Sequence, residues 1–501
     1  MRVARFLLRF PLWGDEYLLA ENFLPPVWSI LASPLKNGQV APLGFLAGEL
    51  LSLPWFGFHE WALRGQALAY SILSLWLFAR WTKLLQTGWE RVFSVAILAV
   101  TYYAIRYAAE VKPYAGDLCW SMALIHVATL WWQTREAKWL YVWCGLTPFA
   151  VVCSFPAVFT AGGIALGLAP EILRRTTTRE KLWYLGIQFV LLLSFVLLQW
   201  LWLSRQFHAS ADMMTDYWKQ GFPPDWRAPG RLLAWMFETL TSVAFAAPFG
   251  ATRSGSILTT ACCALGVRHF WKQGDRVPCL MFGGTFLLAI VAAGLHRYPL
   301  GGHARLVQYL LPWVCLFAGT GFAQLLAWLR HRWLPLDPNR YELRTCFVLF
   351  LIGMGILTHD IVHPYQKPVD AEHQGFAHWF WRAAPERTTI CLVEQFPQPF
   401  YQGNYLSAYR CYQAIHRPAR RGQMQPVHYA KVEDLPIGKL RCVGFHLETW
   451  PRDESAFKNF MSRMQTRYRL VGETSLRVDL SAPPEHRIGR YDVWEFDPID
   501  K

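Results

Sequence analysis

Three stretches of this 501-residue chain hold no Asp, Glu, Lys or Arg at all: residues 182–204, 277–295 and 306–329. A helix rises about 1.5 Å per residue and the hydrocarbon core of a bilayer is about 30 Å thick, so about 20 apolar residues suffice to cross it. One charge at mid-bilayer costs about 2.5–3.5 kcal/mol on insertion scales, so runs this clean read as membrane spans rather than soluble cores. Residues 65–85, 91–109, 118–134, 254–270 and 345–362 read as further spans. The uncharged run 139–170 is too long for one span and is interrupted by Pro148 and Pro156, which predicts two short helices meeting near Ser154. The expected total is about ten. Residues 231–250 carry Glu238 and read instead as a helix lying on the interface.

Composition agrees with this reading. The chain is 53% apolar and 17% charged, whereas soluble domains carry about 25% charge, which argues against a soluble enzyme, a disordered tail or a disulfide scaffold. The net charge of +14 does not point to nucleic acid, because no zinc-finger spacing or aromatic-interleaved basic strand accompanies it. The basic residues fall in every second short loop: Arg80, Lys83 and Arg91; Arg135 and Lys138; Arg174, Arg175, Arg179 and Lys181; Lys272 and Arg276; Arg330, Arg332, Arg340 and Arg344. These loops are expected to face the cytoplasm. The loops around Asp15, Glu110, Arg205 and His303, and everything after Val362, then share the opposite side.

Two regions depart from the span pattern. Residues 1–10 are too short to cross a membrane, and Arg2, Arg5 and Arg9 resemble the basic start of a signal segment without its apolar run, so the chain is expected either to begin as an interfacial stub or, as the favoured reading, to be preceded by a first helix. After residue 362 the alternating segments 387–393, 440–447 and 468–480, with a helical stretch 454–468, predict a small extracytoplasmic α/β domain over 363–501, following a membrane domain over 1–362. An oxidising compartment would allow two of its cysteines, Cys391, Cys411 and Cys442, to bridge.

Charged residues gather at three places on the expected non-cytoplasmic side. The first is Trp13-Gly14-Asp15-Glu16 with Gln39-Val40-Ala41-Pro42-Leu43. The second is Glu110-Val111-Lys112-Pro113-Tyr114 with Asp117. The third runs from Arg297-Tyr298-Pro299 to His303-Ala304-Arg305. Each has a plain structural explanation: a solvated acidic pair, a lysine reaching the headgroups, cations anchoring helix ends. Their coincidence on one side carries chemistry. Carboxylates opposite cations suit transfer of a sugar from a lipid phosphate, in which a carboxylate takes the acceptor's proton and Arg, Lys or His stabilises the charge growing on the leaving phosphate. Phosphate is already a good leaving group, so one base suffices where a glycosidase needs two carboxyls. The chain has neither GxxxxGK[ST] nor GxGxxG after a soluble strand, so nothing in it is built to hold a nucleotide, and a polyprenyl-phosphate carrier fits better.

At these residues the sequence resembles the GT-C glycosyltransferases, in particular the dolichyl-phosphate-mannose-protein mannosyltransferase-like group that includes bacterial aminoarabinose transferases of lipid A. Residues 13–16 resemble the group's acidic motif in the first external loop. Residues 39–43 and Glu60-Trp61-Ala62-Leu63-Arg64 are similar to that loop and the start of the next helix. Residues 110–117 resemble the next external motif, Ser154-Phe155-Pro156 a helix break, and residues 298–305 a late loop near the phosphate. The resemblance extends over residues 12–328 and implies a polytopic α-helical membrane protein. It implies Asp15 as general base, with Glu16 beside it supporting the acceptor or a divalent cation. Gln39, Arg64, Glu110, Lys112, Tyr114 and Asp117 would surround sugar and phosphate, with Arg297, Tyr298, His303 and Arg305 near the lipid phosphate. Where many members carry two prolines this chain has Ala41-Pro42, and the family's first helix is absent.

The function expected is an inverting transfer of a hexose or pentose from a polyprenyl-phosphate donor to a lipid, glycan or protein acceptor. It would take place among membrane lipids at the periplasmic or exterior face of the inner (plasma) membrane, without nucleic acid. A transporter or lipid flippase using the same charges as a substrate path is the alternative, although the clearest spans have uncharged centres and no internal repeat. A third class is a non-catalytic assembly or receptor protein acting through its tail.

Overall fold

The computed structural model describes residues 1–175, 177–203, 218–225, 227–249, 254–333, 338–383, 386–392, 399–416, 425–427, 432–447, 454–479 and 488–499. The loop at Arg205 lies outside them. The chain is mostly helical. In order, its α-helices are α1 (Arg2–Leu7), α2 (Gly14–Ala20), α3 (Leu43–Phe56), α4 (Glu60–Leu85), α5 (Gly88–Val100), α6 (Tyr102–Arg106), α7 (Tyr114–Thr134), α8 (Ala137–Cys153), α9 (Ala157–Arg175) and α10 (Thr178–Leu198). There follow α11 (Pro229–Glu238), α12 (Ile257–Gln273), α13 (Arg276–Gly294), α14 (Leu311–Trp333), α15 (Pro338–Val362), α16 (Pro368–Arg382), α17 (Pro399–His416) and α18 (Glu454–Gln465).

Among the described residues, five helical stretches are long and apolar enough to cross a membrane: Ala157–Arg174, Thr178–Trp202, Arg276–Gly294, Ala304–Arg332 and Asn339–Val362. A sixth arises if α5 and Tyr102–Ala109, bent by 53° at Thr101, count as one. By length and composition this is fewer than the ten expected. The difference lies in helices such as α4, which carries Arg64, Arg80 and Lys83, and α7, which carries Asp117, His126 and three tryptophans. The run 139–170 does break at Ser154, between α8 and α9. In the stretch 231–250, α11 gives way to a wider helical turn, Thr239–Ala244, and leaves Leu233 and Phe237 exposed.

Glycines let the helices approach closely. A Cβ on Gly163 would stand 2.2 Å from the Thr285 backbone nitrogen, one on Gly266 2.0 Å from the Phe317 carbonyl, and one on Gly321 1.8 Å from the Cys262 carbonyl. Thus α9 packs on α13 and α12 on α14 backbone to backbone, as small residues permit in lipid. Basic and acidic residues near helix ends meet at one end of this bundle: Arg135 with Glu171 at 2.7 Å, Arg330 with Glu342 at 3.2 Å, and Glu90 with His269 at 3.5 Å. The helices α5 and α7 run from that end to the opposite one, where residues 106–117 lie.

Beyond α15 the chain forms a five-stranded sheet of β1 (Thr388–Leu392), β2 (Gln425–Val427), β3 (Leu440–Leu447), β4 (Tyr468–Asp479) and β5 (Ile488–Pro498), in the order β2-β1-β3-β5-β4. The pairs β2–β1 and β1–β3 are parallel, while β3–β5 and β5–β4 are antiparallel, with Cys442 opposite Trp494. One face buries Ile390, Trp494 and Phe496 against Phe457, Phe460 and Met464 of α18. On the other, Tyr491 and Val493 join the core shared with the helical bundle. Cys411 is a free, buried thiol and takes no part in the bridge that an oxidising compartment would allow, and Cys442 is buried as well. Cys442 is packed in the sheet and Cys411 against α2, where its Sγ donates to the Tyr17 carbonyl at 3.7 Å. The Cys391 side chain lies outside the description.

Candidate active site

The helix α2 starts where the extended Trp13 offers its backbone N–H to Glu16 Oε2 at 3.3 Å. Carboxylates in a first helical turn also favour the positive end of the helix dipole. Asp15 and Glu16 are adjacent, yet neighbours on a helix point in different directions, and here they have different surroundings.

Glu16 is fully buried. Arg64 of α4 grips both its oxygens, Nε at 2.9 Å and Nη2 at 2.6 Å, and the Val111 N–H donates to Oε1 at 2.7 Å. The same guanidinium donates to the carbonyls of Phe10 at 2.6 Å and Pro11 at 3.1 Å. This buried pair ties the first loop to α4 and to the 110–112 loop. These bonds occupy both oxygens of Glu16 and turn the Arg64 guanidinium toward the protein.

Asp15 faces the other way. Its Oδ2 accepts from Arg305 Nη1 at 2.7 Å, with 22% of the Asp15 side chain exposed against 6% of Arg305. Burial works against ionisation, but Lys112, Arg305 and Arg106 outweigh it and hold the Asp15 carboxyl below the usual range. Lys112 is buried and donates to Gln39 Oε1 at 2.9 Å. Burial foremost lowers its ammonium, with Asp15 opposing and Arg305 adding to the effect. Two residues separated by 290 positions thus make one ion pair, with a second cation beside it.

Arg305 is the second residue of a short 3-10 turn, Ala304–Leu310, which His303 caps by accepting the Arg305 N–H on Nδ1 at 3.2 Å. That bond assigns the proton of a neutral ring to Nε2. Burial, then Arg305 and Arg106, push His303 down to about 4, so the ring is neutral at physiological pH. The guanidinium of Arg305 lies 4.7 Å from the Trp218 ring centroid and 5.9 Å from that of Tyr114. Trp218, Gln220, Gly221, Gly302, His303 and Arg305 line a cavity of about 160 Å³. Its wall is stitched by the Leu300 and Gly301 N–H groups, each donating to the Gly221 carbonyl at 3.0 Å. Gly302 turns the chain there with φ of +80°. Drug-sized pockets run about 300–1,000 Å³, so this one suits a group the size of a phosphate.

Glu110 sits behind this pair. Arg106 Nε donates to it at 2.7 Å, Gln366 also donates to it, and Arg106 Nη2 donates to Gln366 Oε1 at 2.7 Å. Burial raises its carboxyl, and Arg106 offsets this only in part. Asp117 lies one helical turn into α7 and accepts from Ser154 Oγ at 2.7 Å, at the break between α8 and α9. Tyr298 donates to the Leu306 carbonyl at 2.9 Å, bracing the loop rather than facing the cavity. Arg297 is exposed and, among the described residues, shares no hydrogen bond or ion pair with this cluster.

The sequence reading missed Arg106, Trp218 and Gln366. Arg106 had a signal: it stands four residues before Glu110, the spacing of a helical ion pair, but lay inside a segment read as a span. Among the described residues no three His, Cys, Asp or Glu side chains come close enough to hold a metal ion. With Glu16 fully engaged and Lys112 and Arg305 beside Asp15, the residues do not fit a divalent cation, which needs several oxygen ligands.

No family model matches the chain, and no curated protein matches it. Among solved structures, ArnT from Cupriavidus metallidurans aligns over 98% of this chain and 96% of that chain with a TM-score of 0.50. Identity is 12% for the apo state and 13% for the state bound to undecaprenyl phosphate. The Archaeoglobus fulgidus oligosaccharyltransferase aligns over 94% of this chain and 67% of that chain, with a TM-score of 0.46 and 12% identity. At such identities the likeness speaks for the fold: this chain has the fold of ArnT, a GT-C glycosyltransferase, as its motifs led one to expect.

Proposed function

We propose that this protein is an inverting glycosyltransferase that moves a hexose or pentose from a polyprenyl-phosphate donor to a lipid, glycan or protein acceptor. The observation that carries the reading is the Asp15–Arg305 pair at a phosphate-sized cavity, with neutral His303 and cationic Lys112 beside it. The likeness to ArnT, which has been seen bound to undecaprenyl phosphate, supports the same kind of carrier here.

An inverting displacement needs base and leaving group on opposite faces of the anomeric carbon, so the pair must part when the donor enters. The donor phosphate competes for the guanidinium of Arg305, whose planar fork matches phosphate oxygens. Losing that cation makes Asp15 a stronger base where the acceptor's hydroxyl or amine approaches. As the acceptor attacks, Asp15 takes its proton, the glycosyl–phosphate bond breaks, and Arg305, Lys112 and the Nε2–H of His303 stabilise the departing phosphate.

The reading places the protein in the inner (plasma) membrane with Asp15 at the periplasmic or exterior face, because the opposite end of the bundle carries the basic loops. Counting α4, α7, α8 and α12 with the longer apolar helices gives about ten spans. The sheet after residue 362 then forms an extracytoplasmic domain. The test is transfer of radiolabelled sugar from a membrane extract of lipid-linked sugars: Asp15→Asn is expected to insert normally and lose at least about 100-fold in rate. Undiminished transfer would remove Asp15 as the base.

A further inference from the structure

Asp15 rides on a helix too short to keep its own direction. With 7 residues, α2 is well below the length at which isolated helices persist, so its aim depends on what grips it. At its start the grip is Glu16–Arg64, from the membrane bundle. At its end the grip comes from near the other end of the sequence.

Glu21 follows α2 directly and is buried, and its carboxylate accepts from Arg410 and from Ser407, both on α17. Asn37 Nδ2 donates to the same carboxylate at 3.0 Å and to Ser407 Oγ at 3.2 Å. Two residues on from Asn37 stands Gln39, the partner of Lys112. One turn back, the Tyr17 carbonyl accepts from Cys411 Sγ at 3.7 Å, and the Tyr17 ring meets Tyr412 edge-on at 6.0 Å. A single buried carboxylate therefore joins α2, the loop that holds Lys112, and α17. Burial opposes its ionisation, but Ser407, Asn37 and Arg410 together hold it below the usual range. The proposed reaction uses none of these residues directly.

We propose that α17 is a buttress for the helix that carries the base: Arg410, through Glu21, and Cys411 and Tyr412, through Tyr17, are positioning residues that aim Asp15 at Arg305 and Lys112. This rests on Asp15 being the base, and it makes the region after residue 362 part of the active site rather than an accessory module. A displacement of about 1 Å at a reacting group can cost about 100-fold in rate, so a loosened α2 is enough to silence the enzyme.

The experiment uses the full-length protein in lipid nanodiscs and two readouts that need no substrate. One is hydrogen–deuterium exchange across residues 14–21. The other is the pH dependence of Asp15 labelling by a water-soluble carbodiimide, which reacts with the protonated carboxyl. The charges facing Asp15 are Lys112, Arg305 and Arg106. In Arg410→Ala, exchange across 14–21 is expected to rise at least about tenfold and the labelling midpoint to move to higher pH, because the carboxyl withdraws from its cations. Exchange in α9 should stay at its wild-type rate, which general unfolding would not allow, and Arg410→Lys should restore both readouts. Tyr412→Leu, which trims the contact to Tyr17 without orphaning a charge, should shift both in the same direction and serves if Arg410→Ala does not fold. Wild-type exchange and an unmoved midpoint in these variants would overturn the proposal while leaving Asp15 as the base. Retained transfer in Asp15→Asn would instead sink the base assignment, and with it the catalytic purpose of the buttress, leaving only a mechanical contact between α17 and α2.

Discussion

Replacing Arg64 by Met tests whether the buried Glu16–Arg64 pair holds the site together. The side chains are 2% and 0% exposed, so solvent cannot step in for the lost guanidinium. Glu16 would keep only the N–H groups of Val111 and Trp13, and the carbonyls of Phe10 and Pro11 would each lose a donor. Removing one partner of a buried ion pair costs about 3–5 kcal/mol, and each orphaned carbonyl adds about 1–3 kcal/mol. The sum rivals the whole stability of an ordinary domain, about 5–15 kcal/mol. The expected outcome is a protein that unfolds at much lower temperature in nanodiscs, followed by tryptophan fluorescence. The companion Glu16→Leu with Arg64→Met removes both charges and should recover part of the loss, because neutral packing replaces an orphaned carboxylate. A single substitution costing under about 1 kcal/mol, or a double whose cost is the plain sum of the singles, would refute the reasoning.

Two further substitutions test the packing and the electrostatics. Gly266→Ala, whose new methyl would meet the Phe317 carbonyl, should destabilise by about 1–3 kcal/mol, whereas Gly65→Ala, with nothing within 4 Å of the added Cβ, should be neutral or stabilising in the same thermal assay. Asp370 receives the Lys367 N–H at 3.1 Å, and burial, opposed by Lys367, pushes its carboxyl up from 3.8 to about 7. A folded-state pKa above the unfolded value gives stability that is present in acid and lost as pH rises to about 7. Asp370→Asn should therefore gain on the wild type by at most about 4 kcal/mol between pH 4 and pH 8 in denaturant titrations, and an advantage that shrinks with pH would contradict this.

The membrane scaffold was legible because its signal is uninterrupted apolarity, which depends on little else. Residues 277–295 fall on α13, residues 306–329 on the 3-10 turn Ala304–Leu310 and the α14 that continues it, and Pro156 marks the break between α8 and α9. Asp15 and Arg305 were legible as types, a carboxylate and a cation at loop mouths, and the fold brings them to 2.7 Å. The role of Glu16 was not, because two adjacent acids look equivalent in sequence while a helix turns them about 100° apart. Arg106 was hidden because the apolar stretch before it reads as a continuous span, whereas the helix bends by 53° at Thr101. In the tail, β5 escaped because both its faces are covered, so Tyr491 and Val493 on one side and Trp494 and Phe496 on the other erase the alternation of a half-exposed strand.

The most direct measurement is a cryo-electron microscopy structure of the protein with undecaprenyl phosphate. The account predicts phosphate density within hydrogen-bond distance of Arg305 and His303, with the Asp15–Arg305 pair opened and Asp15 still within α2. A phosphate bound elsewhere, with Asp15 and Arg305 still paired, would contradict it.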